Sequence, residues 1–191
     1  MTQYERIRQR QRFVKTTKSV SSSKSHRFKQ INQYKIKQLL GNGTVGSVQL
    51  CQNTQDEKLY AMKIIKRYKL KTWGRTGAKI LPVNEMEVLK GLVHTNIVKL
   101  HEIIDDPLKN KLYLVMDYLP GGTLAEKLRE SEAGLPELEV RSYFRDLISA
   151  LHYCHEVKML AHRDIKPENM MLSPDGKLIL CDFGVSQFFE A

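Results

Sequence analysis

Apolar and polar positions alternate from Tyr34 onward. Tyr34, Ile36, Gln38 and Leu40 fall on one side and Lys35, Lys37 and Leu39 on the other, the period of a β-strand. A glycine-spaced turn follows at 41–46, and a second strand is predicted near 47–52. Residues 53–57 are a polar turn. Residues 58–65 form a third strand, apolar enough to be buried. The basic stretch 66–79, with Trp73, Gly74 and Gly77, reads as a loop or insertion. Pro82 suits the first turn of a helix over 82–92. Two further strands are predicted at 97–105 and 111–118, joined by an Asp-Pro turn. After Pro120-Gly121-Gly122 the period becomes helical. A short helix near 124–129 precedes a longer one from about Glu137, where Pro136, Glu137 and Glu139 suit a helix start. There Val140, Phe144, Leu147, Ile148, Leu151 and Cys154 recur at helical spacing on one face. A strand-rich first half thus precedes a helix-led second half, with the Gly121-Gly122 region as the hinge between two lobes. The fold class this implies is α+β, without internal repeats.

The chain has 191 residues and is 41% hydrophobic, enough for a sizeable core. No apolar run approaches the roughly 18 residues of a membrane span. Residues 1–12 are polar and basic and lack the apolar stretch of a secretory signal. Cys51, Cys154 and Cys181 are scattered, which suits a reducing cytoplasmic or nuclear compartment rather than a disulfide framework. The net charge of +10 is uneven. Residues 1–30 hold nine Lys/Arg against Glu5, a surplus of eight, and the Ser-rich stretch 19–25 lacks apolar periodicity. We therefore expect residues 1–30 to be a disordered tail. It is either a solvated leader or a docking arm for acidic lipid, nucleic acid or an acidic partner.

Candidate chemistry lies in three places. The turn Gly41-Asn42-Gly43-Thr44-Val45-Gly46 has spacing that lets backbone amides approach phosphates. A dinucleotide-binding turn shares that spacing but opens into a helix. Here Ser47-Val48-Gln49-Leu50-Cys51 continues as a strand, leaving a β-hairpin lid over a nucleotide or an ordinary glycine-rich hairpin. Ala61 and Lys63 share one face of a strand, where a small residue leaves room for a flat base and a Lys reaches phosphates. Glu85, 22 residues on, or Glu87 could hold that Lys. Finally, Asp164 and Asn169 flank Lys166 in His162-Arg163-Asp164-Ile165-Lys166-Pro167-Glu168-Asn169, and Asp182-Phe183-Gly184 follows. Asp164 can accept a proton, Lys166 can neutralise a phosphate, and Asn169 and Asp182 are hard oxygen ligands of the kind Mg²⁺ prefers. As an ordered set these fit transfer of a γ-phosphoryl group to a hydroxyl. A zinc reading of His152, Cys154 and His155 is set aside, because no second ligand pair stands at metal spacing. Met170-Met171-Leu172 reads as core and base-pocket lining.

On these motifs the chain resembles the eukaryotic protein kinases over about residues 34–190. The resemblance implies a bilobal fold. Residues 31–119 would be a small lobe of five strands and one helix with the hinge, and residues 120–191 part of a helical large lobe. It implies ATP and Mg²⁺ as cofactors and a protein hydroxyl as substrate. Leu40, Gly41, Asn42, Gly43, Thr44, Val45, Gly46, Ser47 and Val48 would cover the nucleotide. Val48, Ala61 and Met171 would sandwich the base. Met116 would be the gatekeeper, and Asp117-Tyr118-Leu119 the hinge that meets adenine. Lys63 with Glu85 (favoured over Glu87 by family register), Asp164 and Lys166 would be catalytic, and Asn169 and Asp182 would hold metal. Leu89, Leu100, His162 and Phe183 would stack as a spine. Lys166 two residues after Asp164 is similar to the serine/threonine class. Ile103-Ile104-Asp105-Asp106-Pro107, the stretch 111–116 and Asp182-Phe183-Gly184-Val185-Ser186 are similar to calcium/calmodulin-dependent protein kinase kinases. Kinase domains continue past the Asp-Phe-Gly motif, so the resemblance implies a truncated large lobe whose helix 140–154 exposes apolar surface. Two functions follow: an ATP-dependent serine/threonine protein kinase, or a catalytically inactive kinase-like binding or regulatory module.

Overall fold

The computed structural model describes residues 14–18, 20–24, 29–42, 46–66 and 82–189. They form two compact units, one of Phe13–Pro82 with Leu100–Tyr118 and one that includes Val83–Lys99 and Leu119–Ala191.

The first unit is one eight-stranded sheet. Its strands are β1 (Lys15–Thr17), β2 (Ser22–Lys24), β3 (Lys29–Ile31), β4 (Tyr34–Asn42), β5 (Gly46–Asn53), β6 (Leu59–Lys66), β7 (Leu100–Asp106) and β8 (Lys111–Asp117). Their order across the sheet is β1-β7-β8-β6-β5-β4-β3-β2. All neighbours are antiparallel except β1, which runs parallel to β7 with Lys15 opposite Glu102. The alternation seen in the sequence has a clear destination. Met62 and Ile64 on β6, Tyr113 and Val115 on β8, and Cys51, Ile104, Tyr34 and Ile31 pack as one buried cluster.

β1 and β2 lie at opposite ends of the strand order, yet only residues 18–21 separate them. Five Cα steps span at most about 17–18 Å. The sheet must therefore curl until this short connection bridges its two edges, and Val20 within it packs on the core cluster. The disordered-tail expectation for residues 1–30 is corrected here for the segments 15–17, 22–24 and 29–30, which are strands. Residues 1–13 lie outside the described residues. The anchoring residue is Glu102 on β7, which is 3% exposed. It accepts hydrogen bonds from Thr17 Oγ1 at 2.5 Å, Gln33 Nε2 at 2.7 Å and Tyr34 Oη at 2.9 Å, and it pairs with Lys15 at 3.4 Å.

The second unit contains α1 (Pro82–Gly91), α2 (Leu124–Glu130), α3 (Glu137–His152), β9 (Leu160–Ala161), β10 (Met170–Leu172), β11 (Leu178–Leu180) and β12 (Gln187–Phe188). The sequence reading puts α1 with the strands of 31–119. In the structure the segment 83–99 belongs with residues 119–191, and its contacts say why. The Val93 amide donates to Tyr153 Oη at 3.0 Å, and the His94 ring stacks on Tyr153 with centroids 5.1 Å apart. Asn96 Nδ2 donates to the Leu178 carbonyl at 3.0 Å, and the Val98 amide to Leu180 O at 3.0 Å. Burial holds the His94 imidazole pKa below its ordinary value.

α2 is closed by a capping box. Thr123 Oγ1 accepts from the Glu126 amide at 3.1 Å, while Glu126 Oε2 accepts from the Thr123 amide at 2.7 Å. α3 buries Tyr143 and Ala150, and Tyr143 packs with Met170, Leu172, Leu178 and Leu147. Val140, Phe144 and Ile148 are exposed. The apolar stripe in the sequence is thus wider than the packed face. That face is set by Asp146, whose carboxylate accepts from the Leu178 amide at 2.9 Å, and by a Lys127–Glu139–Tyr143 cluster linking α2 to α3. α3 then loosens into a π turn, Tyr153–Val157, and Met159 reverses the chain at φ 51.

Candidate active site

The predicted nucleotide-facing residues of the sheet share one surface by register. Val48 lies opposite Lys63 on β5 and β6, Ala61 opposite Met116 on β6 and β8, and Leu100 opposite Met116 on β7. Directly opposed residues point to the same side, so Val48, Ala61, Lys63 and Met116 line one face. Met62 and Ile64, between them in sequence, face the core cluster. Asp117 ends β8, where its carboxylate lies 2.6 Å from His101 Nε2. Gly41 pairs with Val48 and Asn42 with Ser47 as the β4–β5 hairpin closes; Gly43, Thr44 and Val45 lie outside the described residues. Gly46 is there for want of space. A Cβ on it would lie 1.9 Å from the Ile64 carbonyl oxygen. Leu40, beside the hairpin, is 39% exposed.

The second unit holds the polar cluster. Lys166 Nζ lies 2.7 Å from Asp164 Oδ2. Asn169, 6% exposed, donates through Nδ2 to the Asp164 backbone carbonyl at 2.8 Å and to Asp164 Oδ2 at 2.9 Å. The Lys166 ammonium and the Asn169 amide hold the Asp164 pKa below the ordinary carboxylate value, and Asp164 raises that of Lys166. The short 3₁₀ turn Pro167–Asn169 makes this possible, because it brings residues five apart back onto each other. The Asn169 carbonyl then accepts from the Cys181 amide at 2.8 Å, tying the loop to the residue before Asp182.

His162 is a structural pin. Its Nδ1 accepts from the Asp164 amide at 3.3 Å, which leaves Nε2–H to donate to the Cys181 carbonyl at 2.9 Å. Burial lowers its pKa, in keeping with this neutral tautomer. Its ring meets Phe183 edge-on at 4.7 Å, and Phe183 is fully buried. Leu89 and Leu100, the other predicted spine residues, are each buried. Asp182 is exposed with φ 56. A Cβ on Gly184 would lie 3.3 Å from Asp182 Oδ1 and 3.8 Å from Glu85 Oε2, so Glu85, 4% exposed, lies close to the Asp-Phe-Gly turn. Glu87 instead pairs with Lys90 at 2.9 Å. Leu119 is buried, and Met171 is half-buried on β10 next to the Thr123 bridge.

Two residues of this neighbourhood carry no role in the sequence reading. Arg163, with φ 69, donates through Nε to the Val185 carbonyl at 2.8 Å and through Nη1 to Gln187 Oε1. Ser186, 1% exposed, donates to the His162 carbonyl at 3.2 Å. Arg163 stands inside the His-Arg-Asp string, so its place was visible there, but its left-handed backbone was not.

Comparison with known proteins agrees with this geometry. The protein kinase domain description matches residues 34–191. The chain is 37% identical over 91% of its length to a calcium/calmodulin-dependent protein kinase kinase of Caenorhabditis elegans. It is 39% identical over 93% of its length to the serine/threonine-protein kinase ssp1 of Schizosaccharomyces pombe. It is 38% identical over 85% of its length to a probable serine/threonine-protein kinase of Dictyostelium discoideum. The matched regions span 35%, 28% and 23% of those three relatives. Among the described residues no helix is long and apolar enough to cross a membrane.

Proposed function

Because the chain belongs to the protein kinase family, we propose that it transfers the γ-phosphoryl group of ATP to a serine or threonine hydroxyl of a protein. The observation that carries this reading is the Asp164–Lys166–Asn169 cluster. Asp164 is held by Asn169 so that its carboxylate orients an incoming hydroxyl. Its low pKa makes it a weak base, so it takes the hydroxyl proton late, as the bond from substrate oxygen to phosphorus forms and the β,γ-bridging bond breaks. Lys166 stays charged and meets the γ-phosphate. By family register Lys63, with Glu85, would serve the α- and β-phosphates. Leu40, Gly46, Ser47 and Val48 would cover the nucleotide, Val48, Ala61 and Met171 would hold the base, and Met116, Asp117 and Leu119 would border it.

The donor set suits Mg²⁺. Asn169 spends its Nδ2 on Asp164, so the atom it offers a hard cation is Oδ1, and Asp182 offers an exposed carboxylate. Bound there, the metal would neutralise charge on the phosphate oxygens. The basic residues of 1–30 suit an acidic partner.

The test compares the chain with Asp164→Asn and Lys63→Met for Mg²⁺-ATP binding by calorimetry and for phosphate transfer to a serine-containing protein. The expected result is unchanged binding with about 10²-fold or greater loss of transfer for Asp164→Asn, and weakened binding for Lys63→Met. Transfer undiminished in Asp164→Asn would overturn the reading. Tight ATP binding without transfer by the parent chain would favour the non-catalytic module instead.

A further inference from the structure

The contact between Thr17 and Glu102 is a second place where phosphate chemistry would have a consequence. We propose that Thr17 is a phosphorylation site, and that its modification by a basophilic serine/threonine kinase releases the N-terminal segment from the β7 edge.

Three observations lead there. First, Thr17 donates its one hydroxyl proton to Glu102 Oε1 at 2.5 Å, and Glu102 is 3% exposed. A phosphate on that oxygen removes the donor and sets about two negative charges against a carboxylate that water screens poorly. Second, Thr17 is the donor that an enzyme can reach. Tyr34, which also donates to Glu102, is buried at the start of the nine-residue β4. Thr17 is half-exposed in a three-residue strand at the sheet edge, paired on one side alone. Short edge elements of this kind open locally well below the cost of global unfolding. Third, its neighbours suit a basophilic enzyme. Lys15 and Lys18 are exposed on either side, and Arg12 precedes them in sequence.

The step itself is ordinary. The threonine Oγ–phosphorus bond forms, the β,γ-bridging bond of ATP breaks, the hydroxyl proton passes to the modifying kinase and ADP leaves. The result is a row of β7 backbone groups freed for another strand.

To separate this from the chain's own proposed activity, the 191-residue Asp164→Asn chain serves as substrate for a recombinant basophilic kinase with Mg²⁺-ATP. Phosphate is located by tandem mass spectrometry, and amide hydrogen exchange is read before and after. The expected result is phosphate on Thr17 and an at least tenfold faster exchange across residues 14–18. The same phosphate in a Glu102→Gln background, which keeps an acceptor and removes the charge, speeds exchange less. Where that background does not fold, Thr17→Val is expected to keep near-parent exchange in 14–18 and Thr17→Glu to lose it. The proposal is overturned if Thr17 takes up no phosphate, if the modified chain exchanges like the unmodified one, or if both backgrounds, or both Thr17 variants, behave alike.

Discussion

Two glycines of one hairpin should respond oppositely to the same substitution. At Gly46 an added methyl would meet the Ile64 carbonyl oxygen at 1.9 Å and its carbon at 2.9 Å. Both are backbone atoms, so no rotamer change relieves the contact. Ordinary contact begins at 3.4 Å, so the strands must part by about 1.5 Å at this point (3.4 minus 1.9). That would stretch the ladder bonds where Gly46 faces Ile65 and Ser47 faces Ile64 beyond useful length. Two lost bonds cost about 0.5–1.5 kcal/mol each, and overpacking costs about 1–3 kcal/mol. The stiffer unfolded chain returns about 0.5–1 kcal/mol. The net expectation for Gly46→Ala is a loss of about 1–5.5 kcal/mol, which at about 2–4 °C per kcal/mol lowers the melting temperature by about 2–22 °C in a chain of this size. At Gly41 nothing lies within 4 Å of the built Cβ and no positive φ is required. Gly41→Ala should therefore be neutral or gain up to about 1 kcal/mol. The assay is thermal unfolding followed by circular dichroism, with urea titration to give the free energies. A Gly46→Ala chain as stable as its parent, or a Gly41→Ala chain equally damaged, would refute the steric argument.

The thiols give a second prediction. Burial pushes Cys51 and Cys154 up to about 12, whereas Cys181 is half-exposed. Iodoacetamide at pH 7.5 should label Cys181 in the folded chain and the other two only in denaturant, as read by intact mass. A third concerns acid. The Thr123 backbone amide and hydroxyl hold the Glu126 pKa below its ordinary value. The capping box therefore stabilises α2 above the unfolded-state pKa and is lost as pH falls through the folded one. Proton NMR should find Glu126 titrating below a free glutamate, and Thr123→Ala, which removes the hydroxyl donor but keeps the backbone amide, should raise it part of the way back; an unmoved titration would argue against the hydroxyl's part in the cap.

What could be read in the sequence had local causes. The period-two runs of β4 to β8 and the polar strings around Asp164 and Asp182 need only neighbours in the chain to be recognised. Ala61 and Lys63 were placed on one face by spacing alone, and the β6–β8 register then set Met116 beside Ala61. β1 and β2 were missed because each has three residues, with no apolar alternation. What holds β1 is Glu102, a carboxylate 85 residues away from Thr17, and charge in that segment argued for solvent. The docking of the segment after α1 is not legible in the sequence, because Tyr153, which meets Val93 and His94, lies in a π turn that helical periodicity does not announce. On α3 the apolar pattern marked a stripe, but Asp146 and Tyr143, both polar-bearing, decided which half of it packs.

The pairing of β1 with β7 also has a consequence in time. Residues 15–17 are synthesised well before their sheet partner among the described residues, a strand beginning at Leu100. At about 5–20 residues per second, several seconds pass before that partner is even synthesised. Residues 15–17 therefore wait without their strand partner while the glycine hairpin and β6 can already pair with each other. Closure of the sheet is a late, long-range event, and long-range pairing is intrinsically slow. Residues made some 85 positions before β7 are thus secured only after it.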